Sequence, residues 1–166
     1  MRVDHMKNIE WGNKCKILKT YIGSSESDIL LKCENVPEAF RVFDSTNSRL
    51  PDGTKAKIVI GCLGQSKNLQ ILNDKKRGPN ILIKQSPPTN DNYIHEAVGK
   101  VIRVLEGTEG DGRNKIIVDV KGLLVETIDE MKIKAGIGDL VKLGLIDYCW
   151  GVYPIEIPFQ ISKKKL

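Results

Sequence analysis

Apolar and polar residues alternate along most of this chain, in short runs that end at glycine-rich turns. The run 115–120, KIIVDV, places three apolar side chains on one face, because successive side chains of a strand point to opposite sides of a sheet. After the turn Gly138-Asp139, the run 140–145, LVKLGL, repeats this spacing. The pattern predicts short strands joined by tight turns, which is typical of small closed β-barrels.

A weaker copy of this pattern precedes it in the chain. An offset of 99 − 12 = 87 residues places Gly12–Leu18 on Gly99–Leu105, with glycine first and apolar residues following. Between Gly53 and Gly138 the better offset is 138 − 53 = 85. A repeat of this length indicates two similar barrels or two halves of one barrel, since solenoid repeats span only about 20–50 residues.

Three short motifs of the second copy occur in the order typical of small barrels. They are Gly99-Lys100-Val101, Val118-Asp119-Val120 and Gly138-Asp139-Leu140-Val141. This order resembles OB-like barrels, including those of the hydrogenase-maturation chaperone family, and the Gly-Asp turn is similar to that of cradle-loop and double-psi barrels. The chaperone family works through a cysteine next to the initiator methionine. Arg2 stands there in this chain, so the resemblance implies a fold and not a metal-delivery role.

We therefore predict a mostly β protein of tandem OB-like barrels that arose by internal duplication. The alternative is one interleaved barrel of the double-psi or cradle-loop type. In chain order, the predicted parts are a disordered or tag-like N-terminus (1–8), a first barrel unit with an extra hairpin (9–84), a linker (85–93), a second barrel unit (94–161) and a basic tail (162–166). A short helix is predicted only over 125–134. No apolar run approaches the roughly 20 residues of a membrane span, so we expect no membrane insertion.

The net charge of +5 is spread unevenly along the chain. Residues 99–151 carry eight basic and nine acidic side chains, a net charge of −1, so the surplus lies in the first unit, the linker and the tail. This distribution predicts a solvated surface with a basic tail rather than a basic stripe. The four cysteines are scattered through apolar strand patterns, which is typical of reduced, buried thiols in a cytoplasmic protein.

Residue types that carry enzyme chemistry are scarce. Only His5 and His95 are present, and no C-x-x-C or H-x-x-x-H spacing occurs, so neither a metal site nor another cofactor site is predicted. A nucleophile–histidine pair would have to use His95, whose place beside the linker is typical of a flexible surface histidine. The glycine-rich run 107–112 carries acidic residues and lacks the lysine of a phosphate loop. We predict a non-enzymatic binding module.

Two kinds of partner are consistent with such a module. The first choice is another protein, bound through a patch formed by Tyr148, Trp150 and Tyr153. The alternative is single-stranded nucleic acid or RNA, bound by the first unit and by the basic turn Lys75-Lys76-Arg77, because barrels of this size often carry oligonucleotides. The sequence specifies neither the partner nor an oligomeric state.

Overall fold

The computed structural model describes residues 11–24, 26–62, 69–73, 78–87, 91–107, 110 and 112–158. These ranges contain eleven strands and no helix. In chain order the strands are β1 (Asn13–Ile22), β2 (Ser27–Cys33), β3 (Phe40–Asp44), β4 (Lys55–Gly61), β5 (Gln70–Ile71), β6 (Asn80–Ser86), β7 (Asp91–Leu105), β8 (Lys115–Val120), β9 (Leu123–Ile128), β10 (Leu140–Leu143) and β11 (Tyr148–Glu156). The prediction of a mostly β protein is confirmed.

Five of these strands close into a barrel. Their order is β1-β2-β3-β11-β4, and β4 pairs back onto β1. All neighbours are antiparallel except β3 and β11, which run parallel. Four of the strands lie early in the chain, whereas β11 comes from its far end. The first barrel is therefore the predicted OB-like barrel, with a last strand supplied by the second half of the chain.

The second half repeats this arrangement with β7, β8, β9 and β10. β7 pairs antiparallel with both β8 and β10, and β8 pairs antiparallel with β9. The place that β11 occupies in the first barrel is divided between two segments of the first half. The end of β4 runs parallel to β9, and β5 runs antiparallel to β10. Each half thus supplies a closing strand to the other half.

Equivalent hydrogen bonds establish the register of the repeat. The Gly53 N–H donates to the Ile17 carbonyl at 2.7 Å, and the Gly138 N–H donates to the Val101 carbonyl at 2.8 Å. Each acceptor is followed at once by a β-bulge. The offset between these first strands is 101 − 17 = 84, in place of the predicted 87, because three more residues separate equivalent positions of β7 and β8 than of β1 and β2. The predicted offset of 85 between the two glycines is kept.

The same backbone conformation also recurs in the loop after the third strand of each half. Asn47 (φ 50°) and Arg49 (φ 52°) adopt the left-handed conformation, as do Lys132 (φ 51°) and Lys134 (φ 58°). Non-glycine residues rarely adopt this conformation, so its recurrence at a constant offset of 85 supports the internal duplication.

A buried aspartate begins each of these loops. Asp44 and Asp129 are 1% and 2% exposed. The Asp44 carboxylate accepts the backbone N–H groups of residues 46 and 48 at 2.9 Å, and that of Asp129 accepts those of residues 133 and 134 at the same distance. The helix predicted over 125–134 is therefore absent: β9 occupies its first part, and Asp129 bends the chain where the helix would have continued.

Strand pairs cross the boundary that was predicted between the two units. Residues 85–87 and 91–93, predicted as linker, instead lie at the adjoining ends of β6 and β7, where Gln85 pairs with Asn92. The strands of the predicted extra hairpin, β5 and β6, pair with β10 and β7 rather than with each other. The predicted terminal segments, 1–8 and 162–166, lie outside the described residues. Whether the two predicted units fold separately is a question for experiment, since each exchanges a closing strand with the other.

Candidate nucleic-acid interface

Lysines stand opposite lysines on the outer face of the first barrel. In the β1–β4 ladder, Lys14 pairs with Lys57 and Lys16 with Lys55, and in the β1–β2 ladder Lys16 also pairs with Lys32. The residues between them point into the core, so all five side chains share the outer face. We call these five residues the lysine rows. Directly opposed residues of an antiparallel pair have Cβ atoms about 4.5–5.5 Å apart, so the five lysine side chains start close together on this face. The Lys32 ammonium group donates hydrogen bonds to the carbonyls of Cys33 and Val36.

Little acidic charge offsets the lysine rows. Within the described part of the chain, the one carboxylate within 4 Å of these ammonium groups is that of Glu156, 3.9 Å from Lys55. Both side chains of this pair are more than half exposed, so the pair contributes little stability. Like charges placed directly opposite each other in a sheet are destabilising. The face therefore carries a concentrated positive charge that a bound polyanion would relieve.

The second barrel provides an internal comparison, because the same five positions hold different residues there. They are Val98, Lys100, Asp119, Leu140 and Lys142. Lys100 pairs with Asp119 in the ladder, and the Lys142 ammonium group lies 3.0 Å from the Glu96 carboxylate. Both lysines thus have acidic neighbours. Opposed, uncompensated lysines are not a requirement of this barrel fold, since its second copy lacks them.

Replacing Lys16 with threonine is expected to stabilise the free protein. The substitution removes a charge that faces two other lysines, and we expect the free energy of unfolding to rise by about 0.5 kcal/mol. The matched control is Lys100→Thr at the equivalent position, which removes an attraction to Asp119 and should lower that free energy. Urea denaturation at low salt measures both changes. Destabilisation by Lys16→Thr equal to that by Lys100→Thr would contradict mutual repulsion in the lysine rows.

Aromatic side chains continue from the lysine rows along β11. Tyr153 pairs with Lys57 across the β4–β11 ladder. Further along the strand, the rings of Trp150 and Tyr148 have centroids 4.5 Å apart, and those of Tyr148 and Phe43 lie 5.0 Å apart. We call these four residues the aromatic strip. Trp150 is the most accessible of them, at 39% exposed, and its indole is available for stacking.

Two glycines make room for the aromatic strip. A Cβ atom at Gly61 would lie 2.6 Å from the Trp150 Nε1 atom, and one at Gly151 would lie 2.7 Å from the Tyr153 hydroxyl oxygen. Each ring is therefore held against bare backbone. Burial, with a smaller contribution from the charge of Glu126, raises the pKa of Tyr153, so its hydroxyl stays protonated at neutral pH.

Glu126 borders the aromatic strip, but its carboxylate has partners of its own. Its Oε1 atom accepts a hydrogen bond from the Trp11 indole N–H at 2.9 Å and lies 3.7 Å from the Lys115 ammonium group. The side chain is 11% exposed. The negative charge at this border is thus neutralised internally and does not extend onto the lysine rows.

The charge of Arg41 is likewise used within the molecule. Its guanidinium group lies 2.8 Å from the Asp28 carboxylate and 2.9 Å from that of Asp91, and it stacks over the Tyr21 ring at 3.8 Å. Because Asp91 begins β7, this contact joins the first barrel to the β6–β7 hairpin. Arg41 therefore has a structural role.

The structure brings together some of the site residues that were predicted from the sequence and not others. Tyr148 and Trp150 are brought into contact, whereas Tyr153 lies further along β11 against Gly151. The basic turn Lys75-Lys76-Arg77 lies outside the described residues. The lysine rows were missed. The two Lys-x-Lys pairs in β1 and β4 were visible, but their alignment depends on the register between the strands.

His95 is not the flexible surface residue that was predicted. It lies within β7, half-buried, with its Nε2 atom 2.8 Å from the Ser86 hydroxyl oxygen. Among the described residues, no three histidine, cysteine, aspartate or glutamate side chains are grouped as metal ligands.

The predicted state of the cysteines is correct for only two of the four. Cys62 and Cys149 are free and buried, and burial raises the pKa of the Cys62 thiol to about 12. Cys15 and Cys33 instead form a disulfide. The strand register places them directly opposite each other on β1 and β2, which their separation in sequence did not reveal.

Comparison with known proteins adds a distant structural likeness. The sequence matches no protein-family model and no curated protein. Among solved structures, the chain is similar to the cytoplasmic molybdate-binding protein ModG in a form with molybdate bound, with a TM-score of 0.43 and 8% identity over 84% of this chain and 92% of that chain. A likeness this distant carries no function to this chain. Within the described ranges, no helix has the length and apolarity to cross a membrane.

Proposed function

We propose that the first barrel binds single-stranded nucleic acid across the lysine rows and the aromatic strip. The observation that carries this proposal is the direct opposition of lysines on β1, β2 and β4 with almost no acidic compensation. Lysines neutralise phosphates and release their counterions, which favours binding of a polyanion. The neighbouring rings supply faces on which bases stack, and a single strand is favoured because its bases are free to do so.

A protein partner is the second candidate function. Besides the predicted patch of Tyr148, Trp150 and Tyr153, the end of β11 exposes Ile155 (61%) and the residue after the strand exposes Ile157 (52%). Such neighbouring apolar side chains support contact with an apolar surface. The lysine rows favour the first candidate, because a polyanion offsets their repulsion and an apolar surface does not.

Substitution of four lysines is expected to remove most of the nucleic-acid affinity. Fluorescein-labelled oligo(dT) and oligo(U) are titrated with the protein over a series of salt concentrations. Labelled duplex DNA is titrated in the same way, and its affinity is compared with that of the single strands. With four phosphates neutralised, the slope of log affinity against log salt should be about −3 for a single strand. Joint replacement of Lys14, Lys16, Lys55 and Lys57 by glutamine should weaken binding at low salt by about 100-fold or more.

Three further variants separate the contributions to binding. Replacement of Lys100 and Lys142 by glutamine, at equivalent positions of the second barrel, should leave the affinity nearly unchanged. Trp150→Ala should weaken binding by about tenfold without changing the salt slope, because it removes stacking and no charge. Alanine at Lys75, Lys76 and Arg77 measures the contribution of the predicted basic turn. Absence of salt-dependent binding to any oligonucleotide would overturn the proposal and leave the protein partner as the better candidate.

A further inference from the structure

The disulfide of the first barrel lies directly beneath the lysine rows. Cys15 pairs with Cys33 in the β1–β2 ladder, and the next pair along the ladder is Lys16 with Lys32. The covalent bond therefore joins two strands next to the point where two lysines stand opposite each other on the outer face. The redox state of the two cysteines can therefore affect the two lysines, because Cys15 precedes Lys16 in β1 and Cys33 follows Lys32 in β2.

The second barrel closes at the equivalent point without a covalent bond. Gly99 and Val120 occupy the positions of Cys15 and Cys33, according to the register of the β7–β8 ladder. They pack closely, since a Cβ atom at Gly99 would lie 2.7 Å from a methyl carbon of Val120. The strands β7 and β8 thus meet at that point without a covalent bond. The cysteine pair is a feature of the first barrel and not a requirement of the architecture.

A hollow that opens to solvent adjoins the disulfide, whose cysteines are only 5% (Cys15) and 2% (Cys33) exposed. This hollow has a volume of about 380 Å³. It is lined by the two cysteines together with Lys14, Lys16, Lys32, Glu34, Lys55 and Ile155. Because both cysteine side chains are buried, a thiolate reaches the bond from this side when β1 and β2 part locally, and the neighbouring ammonium groups then stabilise the cysteine thiolate that leaves. The charge around the hollow favours thiol–disulfide exchange at this position.

We infer that the Cys15–Cys33 pair is a thiol–disulfide switch that sets the affinity of the lysine rows for single-stranded nucleic acid; this inference rests on the proposed function. The reductant is a dithiol. One of its thiolates attacks a cysteine sulfur, forms a mixed disulfide and displaces the other cysteine as a thiolate. Its second thiol then attacks the mixed disulfide, so the reductant leaves as a disulfide. Two electrons and two protons pass to the protein, which now carries two thiols.

The disulfide form binds more tightly for a physical reason. The bond holds β1 and β2 together beside the Lys16–Lys32 pair, and the Lys32 ammonium group donates to the carbonyls of Cys33 and Val36, so the lysines stay in one arrangement that a phosphate backbone can contact. Two unbonded sulfur atoms cannot approach as closely as two bonded ones. Reduction therefore lets the strands separate at this point, and ordering the lysines on the nucleic acid then costs more conformational entropy.

The test compares the affinity of the oxidised and reduced forms of the full chain for labelled oligo(dT). Intact mass after alkylation in denaturant establishes the redox state: the reduced form gains four alkyl groups and the disulfide form two, because Cys62 and Cys149 are free thiols in both. We expect the oxidised form to bind about fivefold more tightly or better. By linkage, saturating oligo(dT) must shift the equilibrium between the protein and a dithiol buffer toward the disulfide by the same factor.

The matched control replaces the two cysteines of the first barrel by the residues that stand at the equivalent positions of the second barrel. A protein carrying Cys15→Gly and Cys33→Val should bind oligo(dT) with an affinity that does not respond to reductant. A protein with Cys62→Ser should keep the response. Equal affinity of the two wild-type forms would overturn the switch and leave the nucleic-acid proposal intact. Binding by neither form would overturn both, and complete alkylation of Cys15 and Cys33 in air-oxidised native protein would overturn the switch by itself.

Discussion

Expressed separately, residues 1–88 and 89–166 are each expected to stay unfolded, whereas co-expression of the two halves restores the native fold. The reason is the exchange of closing strands. Without β11, the first barrel has two unpaired edges, on β3 and β4, and loses the buried side chain of Cys149 from its core. Without the end of β4 and β5, the second half loses its partners at β9 and β10. Open edges and an exposed core leave too little burial to offset chain entropy.

Circular dichroism and the dispersion of amide resonances measure folding of each half, and size-exclusion chromatography measures their association. The matched control is the 1–88 half joined through a flexible linker to residues 146–158, which brings all five strands of the first barrel into one chain. That fusion should regain a cooperative unfolding transition. A folded spectrum from residues 1–88 alone would contradict the exchange and would support the predicted division into units that fold separately.

The second large effect is expected from Gly61→Ala. A Cβ atom at this position would lie 2.4 Å from the Glu126 carbonyl oxygen and 2.6 Å from the Trp150 Nε1 atom. The backbone cannot yield easily, because Gly61 is paired with β11 on one side and with β9 on the other. We expect the free energy of unfolding to fall by about 3 kcal/mol, the upper end of what overpacking a well-packed site usually costs.

Chemical denaturation of Gly61→Ala is compared with that of Gly78→Ala, where an added Cβ atom meets nothing within 4 Å. The control should change the free energy of unfolding by less than about 0.5 kcal/mol. In a Trp150→Ala background the cost of Gly61→Ala should persist, because the Glu126 carbonyl oxygen remains in the way. Equal, small effects at both glycines would show that β4, β9 and β11 are not packed as tightly as described.

Local features of the fold could be predicted from the sequence. The alternation over 115–120 coincides with β8, and the Gly138-Asp139 turn leads directly into β10 at Leu140. The spacing of glycine and apolar residues also indicated the duplication. Its offset was wrong by three residues in the first strand, because the hairpin that follows differs in length between the copies and few identical residues anchor the alignment.

Features that depend on contacts between distant residues could not be predicted in the same way. The helix predicted over 125–134 has adequate local propensity, but strand pairing with β8 and the loop around Asp129 determine its actual structure. The disulfide required knowledge that Cys15 lies opposite Cys33. The candidate site was only half predicted: the aromatic residues were identified as neighbours in sequence, and the lysines were assigned to a dispersed solvated surface.

The sequence by itself thus determined where the strands and turns lie, because side-chain alternation and glycine turns act over a few residues and need no knowledge of the rest of the chain. Only the tertiary structure decided which strands pair. A net charge is the same for scattered and for opposed lysines, and the lysine rows exist only because β4 pairs with β1 in a register that aligns Lys55 with Lys16. The exchange of β11 was equally invisible, because a closing strand has the same alternation whichever barrel it completes.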